Sequence, residues 1–233
     1  MQSRIWAIVP AAGLGRRYGS NIPKQYAPLA GRAVLYRSLD QLAHIKALSG
    51  IAVGLHPEDT WWNPKEVASG TPIRTFRGGS SRMETVSNGL QYVIQEASED
   101  VFALVHDGAR PLPRVSDIER LLEVVGSDVN GGLLACPCTD TLKKATAKGT
   151  VVETVARETL WQALTPQLFP AAILLRGLME ALEQNLPCTD EAQAMERLGF
   201  APTLVESDRR NIKITTPEDI ALAEALFNLS RSQ

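Results

Sequence analysis

Two short segments carry the residue types that chemistry on phosphate needs. Pro10-Ala11-Ala12-Gly13-Leu14-Gly15-Arg16-Arg17 follows directly on the apolar run Ile5-Trp6-Ala7-Ile8-Val9, and Pro23-Lys24-Gln25 comes shortly after it. Small residues at a strand end let backbone N–H groups approach a phosphate closely, and Arg17 and Lys24 add positive charge. The spacing fits neither common nucleotide fingerprint. It lacks the Gly-x-x-Gly interval of a dinucleotide loop and the Gly-Lys-Ser/Thr ending of a P-loop. A turn that only turns is the plain alternative, but two cations beside it favour phosphate binding, with Pro10, Ala11, Ala12, Gly13 and Gly15 as the cradle.

Val105-His106-Asp107-Gly108-Ala109-Arg110-Pro111 closes a second apolar run. In open α/β sheets ligands bind outside the carboxyl ends of strands, so both segments fall where a site is expected. A carboxylate there, Asp107, suits a magnesium ion that already carries triphosphate oxygens. The alternative is a structural turn with a local Asp107–Arg110 ion pair. Gly78-Gly79-Ser80-Ser81-Arg82 reads as a loop running into a helix, with Gly79, Arg82 and Thr85 as nucleotide-binding candidates, and an N-cap with a solvent-facing arginine as an equal alternative. Thr189-Asp190-Glu191 reads as a helix N-terminus. Asn211-Ile212-Lys213-Ile214-Thr215 reads as a short strand carrying one cation. His44, His56 and His106 have no metal-ligand spacing, no nucleophile elbow occurs, and Trp61-Trp62 reads as a packing or surface pair.

The elements that must position these residues follow from periodicity. Short apolar runs at Ile5–Val9, Ile51–Leu55, Val101–Val105 and Gly132–Ala135 suit strands buried on both faces. Met83, Val86, Leu90 and Val93 form one helical stripe, starting near Ser81, and Ile118, Leu121, Leu122 and Val125 form another. A last helix follows Thr216-Pro217, with Thr216 as cap. This alternation predicts an α/β fold with a mostly parallel sheet flanked by helices, in one domain over residues 1–233. Residues Thr139 to Val155 break the pattern. Leu142–Ala145 and Val151–Val155 around Lys148-Gly149 predict an inserted β-hairpin arm at about 138–158, with a second subunit as its packing partner.

Composition narrows the function classes. The 233 residues hold 24 Lys+Arg against 26 Asp+Glu, a net charge of −2 that gives no electrostatic reason to expect nucleic acid or a membrane surface as partner. No apolar stretch approaches a membrane span, and the first is too short for a signal peptide. Cys136, Cys138 and Cys188 lack zinc spacing and suit reduced thiols in a cytoplasmic protein.

Several motifs then occur in a fixed order: Pro10-Ala11-Ala12-Gly13-x-Gly15-x-Arg17, Pro23-Lys24-Gln25, Val105-His106-Asp107-x-Ala109-Arg110-Pro111, Asp140-Thr141, Leu164-Thr165-Pro166-Gln167, Thr189-Asp190-Glu191 and Asn211-Ile212-Lys213. Together they resemble the 2-C-methyl-D-erythritol 4-phosphate cytidylyltransferase family of the non-mevalonate isoprenoid pathway, from Trp6 to about Leu226. The resemblance implies a Rossmann-like nucleotidyltransferase fold, a homodimer, CTP, and a divalent cation, usually Mg2+. It implies that Arg17 and Lys24 stabilise the transition state on the triphosphate side. It also implies that Arg157 and Lys213 position the methylerythritol phosphate, and that Asp107, Arg110, Thr141 and Thr165 line that substrate's side. Thr141 and Arg157, on the arm, would serve the neighbouring subunit's site. Ribitol-5-phosphate cytidylyltransferase is the nearest alternative, and a catalytically silent nucleotide-binding module is a more distant one.

Overall fold

In the computed structural model, which describes residues 4–13, 22–67 and 70–231, strands and helices alternate as the apolar runs require. In chain order they are β1 (Ile5–Pro10), the short pair β2 (Pro28–Leu29) and β3 (Arg32–Ala33), α1 (Val34–Ala43), β4 (Leu48–Leu55), β5 (Ile73–Arg77) and α2 (Arg82–Glu96). Then follow β6 (Phe102–Val105), α3 (Val115–Val125), β7 (Gly132–Pro137), β8 (Leu142–Ala145), β9 (Val151–Val155) and β10 (Trp161–Pro170). The chain closes with α4 (Ala171–Glu183), α5 (Glu191–Arg197), β11 (Thr203–Glu206) and α6 (Pro217–Arg231).

Among the described residues one seven-stranded sheet runs in the order β11-β7-β10-β6-β1-β4-β5. Its pairings are parallel except those of β10, which is antiparallel to both β6 and β7. Period-two alternation sends Ala7 and Val9 of β1 to one face and Trp6 and Ile8 to the other. Leu35, Leu39 and Leu42 of α1 with Ile118 and Leu121 of α3 cover the first face. Val86, Leu90 and Val93 of α2 with Leu174 and Leu178 of α4 cover the second. Burial on both faces is why these strands show continuous apolarity rather than alternation. Both sequence-read stripes are found, on α2 and α3, and the Ser81 hydroxyl caps α2 by accepting from the Glu84 N–H at 3.1 Å.

Four sequence expectations are corrected or extended. The stretch before Gly78, outside the apolar runs, forms β5, an edge strand whose exposed Arg74, Thr75 and Arg77 break the apolar signal. Asn211–Thr215 is not a strand. Its backbone N–H groups instead close a turn on Asp208 and Arg210, and Ile214 donates to the Ala109 carbonyl at 2.8 Å. β10 went unread because Pro166 cannot join a central ladder; the pairing with β7 breaks between Ala163 and Gln167, which accommodates it. At α6 the cap is also reversed, since the Asp219 carboxylate accepts from the Thr215 and Thr216 N–H groups at 2.7 and 2.8 Å.

The arm forms as expected. β8 and β9 make a separate antiparallel sheet, with Lys144 and Glu153 paired at 3.0 Å and Val151 and Val152 exposed.

Before β7 the chain turns sharply at Gly131, whose φ of +67° puts a hypothetical Cβ 2.1 Å from the Phe169 ring and 2.4 Å from the Leu168 carbonyl. Gly131→Ala therefore combines left-handed strain with overpacking and is expected to cost about 2–4 kcal/mol, measured by urea denaturation.

Candidate active site

The carboxyl ends of β1 and β6 and the N-terminus of α2 converge on one cleft of about 650 Å3. Pro10, Ala11, Ala12 and Gly13 form one wall, Lys24 and Gln25 a second, and Gly79, Arg82 and Thr85 a third; Asp107 and Lys213 close it. These sequence-read residues do come together. Gly15 and Arg17 lie outside the described residues.

Small side chains matter here because two loops touch. A Cβ on Gly78 would sit 2.3 Å from that of Ala12 and 3.0 Å from the Leu55 carbonyl, so only glycine lets the second loop close on the first. Thr85 is buried and works on its own loop, since its hydroxyl accepts from the Gly79 N–H at 3.0 Å and donates to the Ser81 carbonyl at 2.8 Å.

Two residues absent from the sequence-read set hold the Lys24 turn (Lys24–Tyr26, a single 3-10 turn). Gln25 is buried and its side-chain amide donates to the Ala11 carbonyl at 2.9 Å and the Gly13 carbonyl at 3.0 Å. The Tyr26 hydroxyl donates to Asp59 at 2.8 Å, and its ring stacks on Trp61 with centroids 6.3 Å apart. Asp59 also accepts from the Trp61 and Trp62 N–H groups at 2.9 Å each. Trp61 thus packs against the turn that presents Lys24, while the Trp62 ring packs on Tyr36 of α1.

A second cleft of about 480 Å3 lies beyond, lined by Arg110, Leu164, Thr165, Gln167, Thr189 and Asp190. Arg82, Asp107 and Lys213 line both clefts and so form the wall between them. Within that wall Asp107 accepts from the Arg82 Nε at 2.9 Å and from the Lys213 Nζ at 2.8 Å, with the Arg110 Nε 3.6 Å away. Burial alone would raise the Asp107 pKa; Arg82 and Lys213 outweigh it and hold the carboxyl well below the usual carboxylate range. Arg82 opens α2, where the helix dipole disfavours a cation. Burial opposes its charge as well, but the Glu191 and Asp107 carboxylates prevail and raise its pKa.

His106 beneath this wall is fully buried, and that burial pushes its pKa down to about 4. Its Nε2 lies 3.0 Å from the Arg110 carbonyl, which only a donor can satisfy, so Nδ1 accepts from the Thr165 hydroxyl at 3.1 Å. The same hydroxyl accepts the Asp107 N–H at 3.1 Å. Thr165 therefore braces the Asp107 backbone as well as lining the second cleft.

Thr141 and Arg157 are exposed on the arm and line neither cleft of their own chain; the Arg157 guanidinium donates to the Thr139 carbonyl. Among the described residues no group of three or more His, Cys, Asp or Glu is placed to hold a metal. Asp107 does not fit the metal role expected for it, because both its oxygens already face cations and a further positive charge would meet three like charges.

These features define a nucleotidyltransferase: small-residue loops and a lysine at the carboxyl edge of a mostly parallel sheet, with a cationic wall between two clefts. A sequence model of the 2-C-methyl-D-erythritol 4-phosphate cytidylyltransferase family matches residues 5–229, and the chain belongs to that family. A relative bearing that name from Xylella fastidiosa (strain 9a5c) is 44% identical over 231 residues, 99% of either chain. Another from Xanthomonas euvesicatoria pv. vesicatoria (strain 85-10) is 46% identical over 96% of this chain and 85% of its own length. Among solved structures, a 4-diphosphocytidyl-2C-methyl-D-erythritol synthase superposes with TM-score 0.83 at 36% identity, covering 97% of this chain and 100% of the other. The Francisella tularensis 2-C-methyl-D-erythritol 4-phosphate cytidylyltransferase gives TM-score 0.80 at 36% identity, covering 95% and 98%.

Two outcomes follow from this geometry. The unfolded chain takes up a proton at His106 below its usual pKa of 6.5, while the folded chain resists until about pH 4. Stability should therefore fall with pH across that window, by about 3 kcal/mol, and His106→Gln should flatten the fall in pH-dependent denaturation. Tyr26→Phe should lower kcat about tenfold by loosening the Lys24 turn, read by steady-state kinetics against an unchanged far-ultraviolet dichroism spectrum.

Proposed function

We propose that this protein transfers CMP from CTP to 2-C-methyl-D-erythritol 4-phosphate, giving 4-diphosphocytidyl-2-C-methyl-D-erythritol and diphosphate. The observation that carries the reading is the shared wall. Two clefts meet at Arg82, Asp107 and Lys213, so a nucleotide held by the small-residue loops and a phosphate in the second cleft would face each other across cations. Membership of the family supplies the substrates.

An oxygen of the acceptor phosphate attacks the α-phosphorus in line, and the bond from that phosphorus to the diphosphate breaks. Both partners are anions, so the work is neutralisation and alignment. Lys24, with Arg17, meets the triphosphate. Lys213, with Arg110 and Thr165, holds the acceptor phosphate. That phosphate is ionised near neutrality, so no general base and no covalent intermediate are needed, and the cysteines take no part. The divalent cation, magnesium or an equivalent, is assigned to the nucleotide as counter-charge of its triphosphate and reaches the site as part of that substrate.

The arm is the basis for a homodimer in which Thr141 and Arg157 complete the neighbour's second cleft. Their exposure and their absence from the lining of either cleft of their own chain support this. Among the described residues no helix is long and apolar enough to cross a membrane, and the composition suits the cytoplasm.

Diphosphate release from CTP and magnesium, with methylerythritol 4-phosphate and ribitol 5-phosphate in parallel, tests the reading. Turnover with the first supports it. Preference for ribitol phosphate would keep the mechanism and change the substrate, while bound CTP without release would leave a silent nucleotide-binding module. Lys24→Ala should lower kcat by about 10^2–10^3-fold while changing stability by less than about 1 kcal/mol. Mixing Lys24→Ala with Arg157→Ala subunits should restore about a quarter of wild-type activity, since half of randomly paired dimers would each carry one intact site.

A further inference from the structure

Glu191 is a titratable residue that the mechanism above leaves idle. It is 1% exposed, at the first position of α5, and lines neither cleft. Both its oxygens are committed to one partner, with Oε1 accepting from the Arg82 Nη1 at 2.6 Å and Oε2 from the Nη2 at 3.0 Å. That fork fixes the guanidinium plane, and the Nε then points to Asp107 Oδ1, whose other oxygen holds Lys213. Four side chains from separate parts of the chain form a single row: Glu191, Arg82, Asp107, Lys213.

We propose that Glu191 is a positioning residue for the transfer reaction, acting through the Arg82 guanidinium to hold Asp107 and thereby to aim Lys213 at the acceptor phosphate. The inference rests on the function proposed above.

Its neighbourhood supports a fixed anchor. Asp190 caps α5 by accepting from the Gln193 N–H at 3.0 Å, and the Gln167 side chain ties the same turn to β10 through Asp190 at 3.1 Å and the Ala192 N–H at 2.9 Å. Glu191 is thus held by the sheet at one end of the row, and Lys213, on a segment outside regular structure, is the end that needs aiming. Without the fork, Arg82 keeps only Asp107 as counter-ion, so the Asp107 carboxylate turns toward Arg82 and its hold on Lys213 loosens.

Three roles for Glu191 predict different signs. The row with Arg110 contains two carboxylates and three cations, and Glu191→Gln removes one negative charge. If Glu191 acted only through its charge, the more positive site would bind anions more tightly and KM for the acceptor would fall. If it served only packing, the folded fraction would keep wild-type constants. A positioning role raises KM for the acceptor.

The experiment is steady-state kinetics of the full-length Glu191→Gln variant at 15 °C with methylerythritol 4-phosphate and CTP, per folded molecule. The expected result is an acceptor KM raised about tenfold and a lowered kcat, with a smaller change in KM for CTP. An acceptor KM that is unchanged or lower overturns the proposal. Glu191→Asp covers the case in which the amide variant fails to fold. It keeps the charge but is too short to span both Nη groups, and it too should raise the acceptor KM; wild-type constants there would overturn the proposal. A second readout is independent of turnover, so that failure of the functional reading is distinguishable. The Arg82 Nη–H signals, which the fork to Glu191 holds in place, should be resolved and slow to exchange in the wild type and averaged by rotation in Glu191→Gln, and their staying resolved in the variant would overturn the proposal even if no acceptor is turned over.

Discussion

A carboxylate taken out of water is unfavourable unless cations replace its hydration, and Asp107 at the end of β6 has Arg82, Lys213 and Arg110 around it. Each cation comes from a different place: the first residue of α2, the segment before α6, and the turn after β6 itself. Satisfying one buried charge therefore fixes three segments relative to the sheet edge. Even with Glu191 on Arg82, two carboxylates do not neutralise the three cations, which leaves the wall a net positive charge. A phosphate on either side competes with Asp107 for the same donors. That competition lets the unliganded protein tolerate a cluster of like charges and still offer them to substrate.

The supporting layer is neutral and hydrogen-bonded. His106, held uncharged by burial, directs the Thr165 hydroxyl, and that hydroxyl braces the Asp107 backbone. Asn211 donates to the Thr165 carbonyl at 2.8 Å, and its own carbonyl accepts from Arg110 at 2.6 Å. Beneath the ionic wall, then, lies a network in which β10, the turn after β6 and the Lys213 segment already share partners. Shared partners of this kind stiffen a site whose task is alignment, although the Asn211 Oδ1 and the Arg110 Nε are buried without a hydrogen-bond partner among the described residues.

What the sequence made legible depended on how local the signal was. Strands β1, β4, β6 and β7 announced themselves by continuous apolarity, and α2 and α3 by their stripes, because burial on both faces leaves no room for polar residues. The two loops of the nucleotide cleft were legible because close approach of backbone to phosphate demands small residues next to cations. β5 and β10 were not, since an exposed edge strand and a strand interrupted by Pro166 carry no such run. Tyr26 and Asp59, and the site roles of Gln25 and Glu191, stayed hidden for another reason. Each acts on a partner far away in sequence, as Glu191 does on Arg82, and nothing in the nearby residues reveals that distance. Asp107 was read as a metal ligand from its place at a strand end, while the cations that surround it come from segments whose proximity only the fold creates.

The antiparallel course of β10 has a consequence for how the arm is attached. Pro137, the last residue of β7, is the cross-strand partner of Trp161, the first of β10, and the Cys138 N–H donates to the Leu160 carbonyl at 3.0 Å beside that rung. The sheet is therefore closed before the chain departs, and everything from Thr139 to Glu158 hangs from a finished hairpin stem. An insertion of this kind is modular. Apart from Thr141 and Arg157, its length and surface can diverge without shifting the register of any strand beneath it. The fold thus separates the edge where Asp107 and Thr165 meet from a projection whose constraint, at Thr141 and Arg157, is set in the proposed dimer by the neighbouring subunit rather than by the sheet beneath it.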